Sequence, residues 1–112
     1  MSKMQQEKGR KGEREVARIN REFGFEASKR GVQYQGSPDS PDVVGIPGVH
    51  LEVKRVEKLH LWPAYDQACD DAGEGEYPVV VHRSNRRPWL AILPYKDFLE
   101  IYKGYLESLN QW

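Results

Sequence analysis

The chain has 112 residues, too few for two independent cores, and 38% of them are hydrophobic and 30% charged, a composition that builds one core under a solvated surface and excludes a disordered chain. Its single cysteine, Cys69, excludes a disulfide framework and a zinc site of paired cysteines, so any metal is expected on oxygen ligands. The net charge is zero, which argues against a generic basic nucleic-acid binder, yet residues 1–31 carry nine Lys or Arg against five Glu, so a local phosphate-facing surface is compatible with overall neutrality.

Residues 1–9 read as a flexible polar lead without a hydrophobic signal region, and no stretch approaches the roughly 20 apolar residues of a membrane span. The expectation is a cytoplasmic protein with no membrane partner. Val16, Ile19 and Phe23, with Ala17 beside them and Gly24 as a stop, predict a helix over residues 10–23. Residues 25–29 form a short strand candidate, and the Gly, Ser and Pro content of residues 31–41 marks an irregular loop. Asp42-Val43-Val44-Gly45-Ile46, a Pro47-Gly48 turn and His50-Leu51-Glu52-Val53-Lys54 read as a hairpin. Trp62, Tyr65, Cys69 and Ala72 recur at helical spacing, which predicts a second helix with Pro63 at its start and Gly73 at its end. Tyr77-Pro78-Val79-Val80-Val81 is continuously apolar and β-branched, as expected for an interior strand covered on both faces. Residues 82–87 make a basic connection to a further buried strand, Trp89-Leu90-Ala91-Ile92-Leu93, and Phe98, Tyr102, Tyr105 and Leu109 stripe a C-terminal helix. The order is αβββαββα in one domain, with its core over residues 10–93 and the last helix and tail over residues 94–112. No internal repeat or long linker divides it.

Glu52-Val53-Lys54 is the place where the chemistry concentrates. Alternation along a strand sends Glu52 and Lys54 to one face and Leu51 and Val53 to the other. An odd-length connection such as Pro47-Gly48-Val49 would set Asp42 opposite Lys54 and Val44 opposite Glu52, so that all three polar groups share a face. Opposed residues have Cβ atoms about 5 Å apart, close enough for two carboxylates to share a hard cation.

Ser40-Pro41-Asp42, ten residues before Glu52-Val53-Lys54, resembles the bipartite signature of the PD-(D/E)xK nucleases. The resemblance implies an α/β fold of the restriction-endonuclease-like kind, an αβββαβ core whose mixed central sheet is flanked by helices, here with an extra C-terminal helix. The likeness is nearest to archaeal and phage Holliday-junction resolvases, whose N-terminal helix carries a motif like Lys11-Gly12-Glu13-Arg14-Glu15 before a strand like Gly24-Phe25-Glu26-Ala27, and it runs over residues 9–93. The family adds an acidic residue from that helix. At roughly 100° per residue Glu13 falls between Val16 and Ala17, facing the sheet, while Glu15 lies beside Glu22 on the outer edge, so Glu13 is the choice.

By this resemblance Asp42, Glu52 and the Val53 carbonyl would bind Mg²⁺, with Mn²⁺ as a substitute and Glu13 assisting. The metal would activate a water for in-line attack on a phosphodiester, and Lys54 would orient that water or stabilise charge in the transition state. Lys29 or Arg30 would stand at the mouth of the site. Arg10, Lys11, Arg14, Arg55, Lys58, Arg83, Arg86 and Arg87 are phosphate-contact candidates, and Gln67 matches a position where related nucleases keep a polar residue. Trp62, Trp89 and the tyrosines read as packing residues, and His60 and His82 as structural ones. The implied activity is an endonuclease selective for branched DNA, working as a homodimer because resolving a junction takes two opposed cuts. A phage or mobile-element nuclease acting on linear duplex, single-stranded or flap DNA would use the same residues, and a noncatalytic DNA-binding module would keep only the fold.

Overall fold

The first helix begins earlier than its apolar spacing predicts. α1 runs over Lys3–Glu22 in a computed structural model that describes residues 2–31 and 42–112. The Ser2 hydroxyl accepts from the Gln5 N–H at 3.1 Å, and the Gln5 side chain accepts from the Ser2 N–H at 3.1 Å. This reciprocal cap satisfies donors of the first turn and draws the polar lead, expected to be flexible, into the helix. Gly12, Val16 and Ala17 are its buried positions. A Cβ on Gly12 would lie 2.8 Å from the Arg55 Cβ, so the bare glycine is what lets the helix approach the sheet there.

The strand predicted over residues 25–29 is displaced. Phe25 donates its N–H to the Asn20 carbonyl and Ser28 donates to the Phe25 carbonyl, each at 3.0 Å, so turns consume these backbone groups and β1 is Lys29–Arg30. There follow β2 (Val43–Val44), β3 (Val49–Arg55), α2 (Leu61–Asp71), β4 (Tyr77–Arg83), β5 (Leu90–Ile92) and α3 (Tyr95–Ser108). The described residues thus form an α/β structure of three helices and one five-stranded mixed sheet, ordered β1-β2-β3-β4-β5 and parallel only between β3 and β4. Element order agrees with the sequence reading. The predicted loop lies, beyond Gly31, outside the described residues, as do Ser40 and Pro41 of the motif.

Two helices cover opposite faces of this sheet. α1 packs Val16 and Ala17 against Val43, Leu51, Val53 and Val79, while α2 packs Ala64 and Ala68 against Val80. The buried stripe of α2 therefore differs from the predicted one: Trp62 is 69% exposed and Cys69 is exposed. Small residues decide the helix phase, because two alanines admit a close approach to a strand face that already carries buried polar side chains, and a tryptophan would not.

β4 is interior, as expected, but extends through His82 and Arg83, residues assigned from sequence to a connection. β5 is not buried. It lies at the sheet edge, with Leu90 56% exposed. α3 contains no buried residue; Tyr95, Phe98, Tyr102 and Tyr105 stack on one another with ring centroids 5.9 to 6.4 Å apart, so these rings and Trp62 depart from the packing role expected of them. Among the described residues no helix is long and apolar enough to cross a membrane.

Candidate metal centre

The hairpin between β2 and β3 fixes the site. Gly45 has φ +94, and a Cβ there would sit 2.5 Å from the Ser28 Cα, so glycine alone lets β2 leave its turn against the Ser28 backbone. Val43 pairs with Leu51. Continuing that ladder sets Asp42 opposite Glu52, and not opposite Lys54 as the predicted register had it. The difference is two positions, and because side chains alternate with a period of two, Asp42, Glu52 and Lys54 still share one face.

That face lies under α2. Glu52 neighbours Val80 across the parallel pairing, and Val80 packs against Ala64 and Ala68. Glu52 is 2% exposed and His50, two residues earlier on the same face, 3%. The Lys54 ammonium is 3.4 Å from Glu52 Oε1, whereas the His50 Nε2 is 3.7 Å from Glu52 Oε2, so the two carboxylate oxygens look toward different partners. Asp42 Oδ2 accepts the Val53 N–H at 2.8 Å. Since the N–H and C=O of a strand residue face the same neighbouring strand, the Val53 carbonyl shares the edge on which Asp42 stands. Two carboxyls and a carbonyl in one place suit a hard, oxygen-seeking cation.

The acids respond to this crowding. Burial, then the charge of Glu52, pushes Asp42 up to about 6, against the opposing pull of the Val53 hydrogen bond and Lys54. Burial also raises Glu52, against the pull of the Lys54 ammonium beside it. Placing two acids together disfavours ionising both, and the nearby Lys54 offsets only part of that cost. Glu13 is raised by burial as well, although its carboxylate accepts from the Arg30 guanidinium at 2.9 Å; Asp42 pushes it further up and Lys54 pulls it down, which places Glu13 within electrostatic reach of both.

Glu15 corrects the helical-wheel reading. It does not stand on a free outer edge but accepts from the Arg83 guanidinium and, at 2.6 Å, from the Trp89 indole N–H. Burial pulls its carboxyl up, yet these bonds outweigh it and hold the group below the usual range. The β4–β5 hairpin folds over that side of α1, which the helix periodicity does not reveal.

Of the paired basic residues at the mouth, Arg30 engages Glu13 while Lys29 is exposed. Arg10, Lys11, Arg14, Lys58, Arg86 and Arg87 are exposed, and so is Gln67 on α2. Arg55 and Arg83 are not free phosphate contacts. Arg55 donates to Glu57 at 3.2 Å, Asn85 at 2.5 Å and the Arg83 carbonyl at 3.4 Å, and Arg83 is held by Glu15. The His82 Nε2 lies 2.9 Å from the Val56 carbonyl, a structural contact as expected, whereas His60 is exposed and forms no side-chain cap on α2.

Two residues escaped the sequence reading. His50 and Asp71 join Glu52 in a group whose ligand atoms all lie within 4.8 Å of one another, and it is the one such group of three among the described residues. A signal existed for each: His50 has the parity of Glu52 along the strand, and Asp71 lies three and seven residues beyond the buried Ala68 and Ala64, on the same side of a helix. Compared with protein-family models, with curated proteins and with solved structures, the chain matches none.

Proposed function

We propose that this chain is a metal-dependent DNA endonuclease of the PD-(D/E)xK type, on a restriction-endonuclease-like core, acting on branched DNA such as a Holliday junction. One observation carries the reading: the pairing of Val43 with Leu51 sets Asp42 opposite Glu52 on adjacent strands, with the Lys54 ammonium 3.4 Å from the second acid. Two acids held this close favour a divalent ion between them. The donors fit Mg²⁺, which Asp42, Glu52 and the Val53 carbonyl would hold, and Mn²⁺ can replace it. Bound there, the ion would polarise a phosphate and make a water more acidic.

The chain's own groups do the remainder. The Val53 N–H engages one oxygen of Asp42 and so orients the other. Lys54, with its side chain 31% exposed, presents a positive charge toward solvent, where the substrate phosphate must arrive, and either orients the attacking water or offsets charge on the phosphate as bonds change. Glu13, clamped by Arg30, closes the acidic edge from the α1 side. Exposed Arg10, Lys11, Arg14, Lys29 and Lys58 supply phosphate contacts that position the duplex without reading its sequence.

Junction cleavage needs two chains, and α3 is the surface for pairing. Tyr95, Phe98, Tyr102, Tyr105 and Leu109 follow the 3-4-3-4 spacing of a helix seam, and an unpacked helix of this length is marginal alone in water. The deciding experiment is Mg²⁺-dependent cleavage of junction, flap and linear DNA at equal concentrations by the native chain, Asp42→Asn and Lys54→Ala, with the mass of the native complex measured on junction DNA. Both variants are expected to bind DNA and not cut it. Unchanged cutting by either removes the site, a preference for linear duplex rejects branch selectivity, and a strict monomer on the junction rejects resolution.

A further inference from the structure

Beyond the Asp42 edge, Glu52 has a second oxygen directed elsewhere. We propose that His50, Glu52 and Asp71 form a separate cation site for a transition-metal ion of the Co²⁺ or Zn²⁺ type. The site does not depend on nuclease activity, and it uses the Glu52 oxygen opposite the one beside Lys54.

Three observations converge on it. First, the His50 Nε2 is buried and has no hydrogen-bond partner among the described residues, on a side chain 2% exposed and aimed at Glu52 and Asp71. A buried polar nitrogen without a partner costs stability, and the 3.7 Å to Glu52 Oε2 is too long for a hydrogen bond to relieve it. Two ligands on a tetrahedral ion with bonds near 2.0 to 2.1 Å stand about 3.3 Å apart, so an ion between them needs only a small contraction. Second, Asp71 is the last residue of α2, where the helix dipole already presents negative charge, and no basic residue stands in that last turn. A carboxylate there is unfavourable until a cation arrives. Third, the donor set mixes one imidazole nitrogen with carboxylate oxygens. Imidazole suits cobalt or zinc better than magnesium or manganese, so this site and the all-oxygen Asp42 edge would sort different ions.

Stripped of metal and titrated with Co²⁺, the full native chain should show a hyperfine-shifted imidazole N–H resonance and visible d–d absorption. His50→Gln should abolish the shifted resonance, and Asp71→Asn should weaken Co²⁺ binding by roughly tenfold or more. Asp42→Asn should retain both signals while losing cleavage, which separates this site from the proposed nuclease centre. Because His50 is buried and its replacement could unfold the chain, Asp71→Asn, at a helix end, carries the test on its own when circular dichroism shows it folded. An imidazole that responds to pH but not to Co²⁺, or Co²⁺ affinity and spectrum unchanged in folded Asp71→Asn, overturns the proposal.

Discussion

One strand, β3, presents two opposed environments. Toward α1 it turns Leu51 and Val53 into a cluster with Val16, Ala17, Val43 and Val79, and every side chain there is apolar. Toward α2 the same strand turns His50, Glu52 and Lys54, and the helix meets them with alanines. Apolar burial of the first kind stabilises the fold by about 25 cal/mol for each Å² removed from water. Burying a carboxylate and an imidazole does the reverse unless each is fully partnered, and here the imidazole nitrogen is not. The contrast separates a face that holds the molecule together from one that buries polar groups at a cost.

The largest test of this division is Glu52→Gln. It should leave the metal-free chain as stable as the native protein or more so, because a neutral amide no longer crowds Asp42, while Mg²⁺-dependent cleavage falls by roughly 10² to 10³ or more. Thermal unfolding in a chelator beside a cleavage time course reads both quantities; cleavage within a few-fold of native would end the distinction between the faces. On the other side of the strand, Leu51→Ala should cost about 3 kcal/mol of unfolding free energy from the cavity it opens, with metal affinity per folded chain unchanged. A metal-binding loss as large as that of Glu52→Gln would mean the two faces are not separable.

How the faces divide was legible in the sequence, since Leu51 and Val53 alternate with Glu52 and Lys54 and parity alone assigns them. The register was not. It depends on Gly45 passing against Ser28, a contact between segments 17 residues apart that no local pattern encodes. Nor was the helix over the polar face, because Trp62 and Cys69 offered a stronger apolar stripe than Ala64 and Ala68, whose value lies in being small. Asp71 disappeared with that error, as its direction follows from the phase of α2. α3 shows the opposite failure: its stripe is plain in the sequence, but periodicity cannot say whether a helix covers its own sheet or another molecule.

pH sharpens the contrast. In metal-free protein the Asp42 carboxyl titrates at about 6, above the 3.8 of an ordinary aspartate. A raised value means that the folded chain binds the proton more tightly than the unfolded one, so this stabilisation is complete below pH 4 and is lost as pH rises through 6. Native protein in a chelator should lose on the order of 2 kcal/mol relative to Asp42→Asn across that window, by urea unfolding at each pH, and excess Mg²⁺ should abolish the difference. A flat difference between pH 4 and 7 would show that the two acids do not crowd each other.

The smallest effect belongs to Glu15, a carboxylate of the opposite kind. Its partners, Arg83 and Trp89, belong to the hairpin over α1, and no second acid stands among the groups that shift it. Its folded value is lowered, so its contribution is present above the unfolded value near 4.5 and is lost as pH falls through the folded one. Glu15→Gln should therefore cost about 1 kcal/mol at pH 7, a modest figure because the pair is partly exposed, and nothing at pH 2 to 3. Metal should not alter that loss, since neither partner belongs to the proposed metal centre. Two glutamates of one protein would then titrate stability in opposite directions, Glu15 because its partners outweigh its burial and Glu52 because its burial outweighs the Lys54 ammonium beside it.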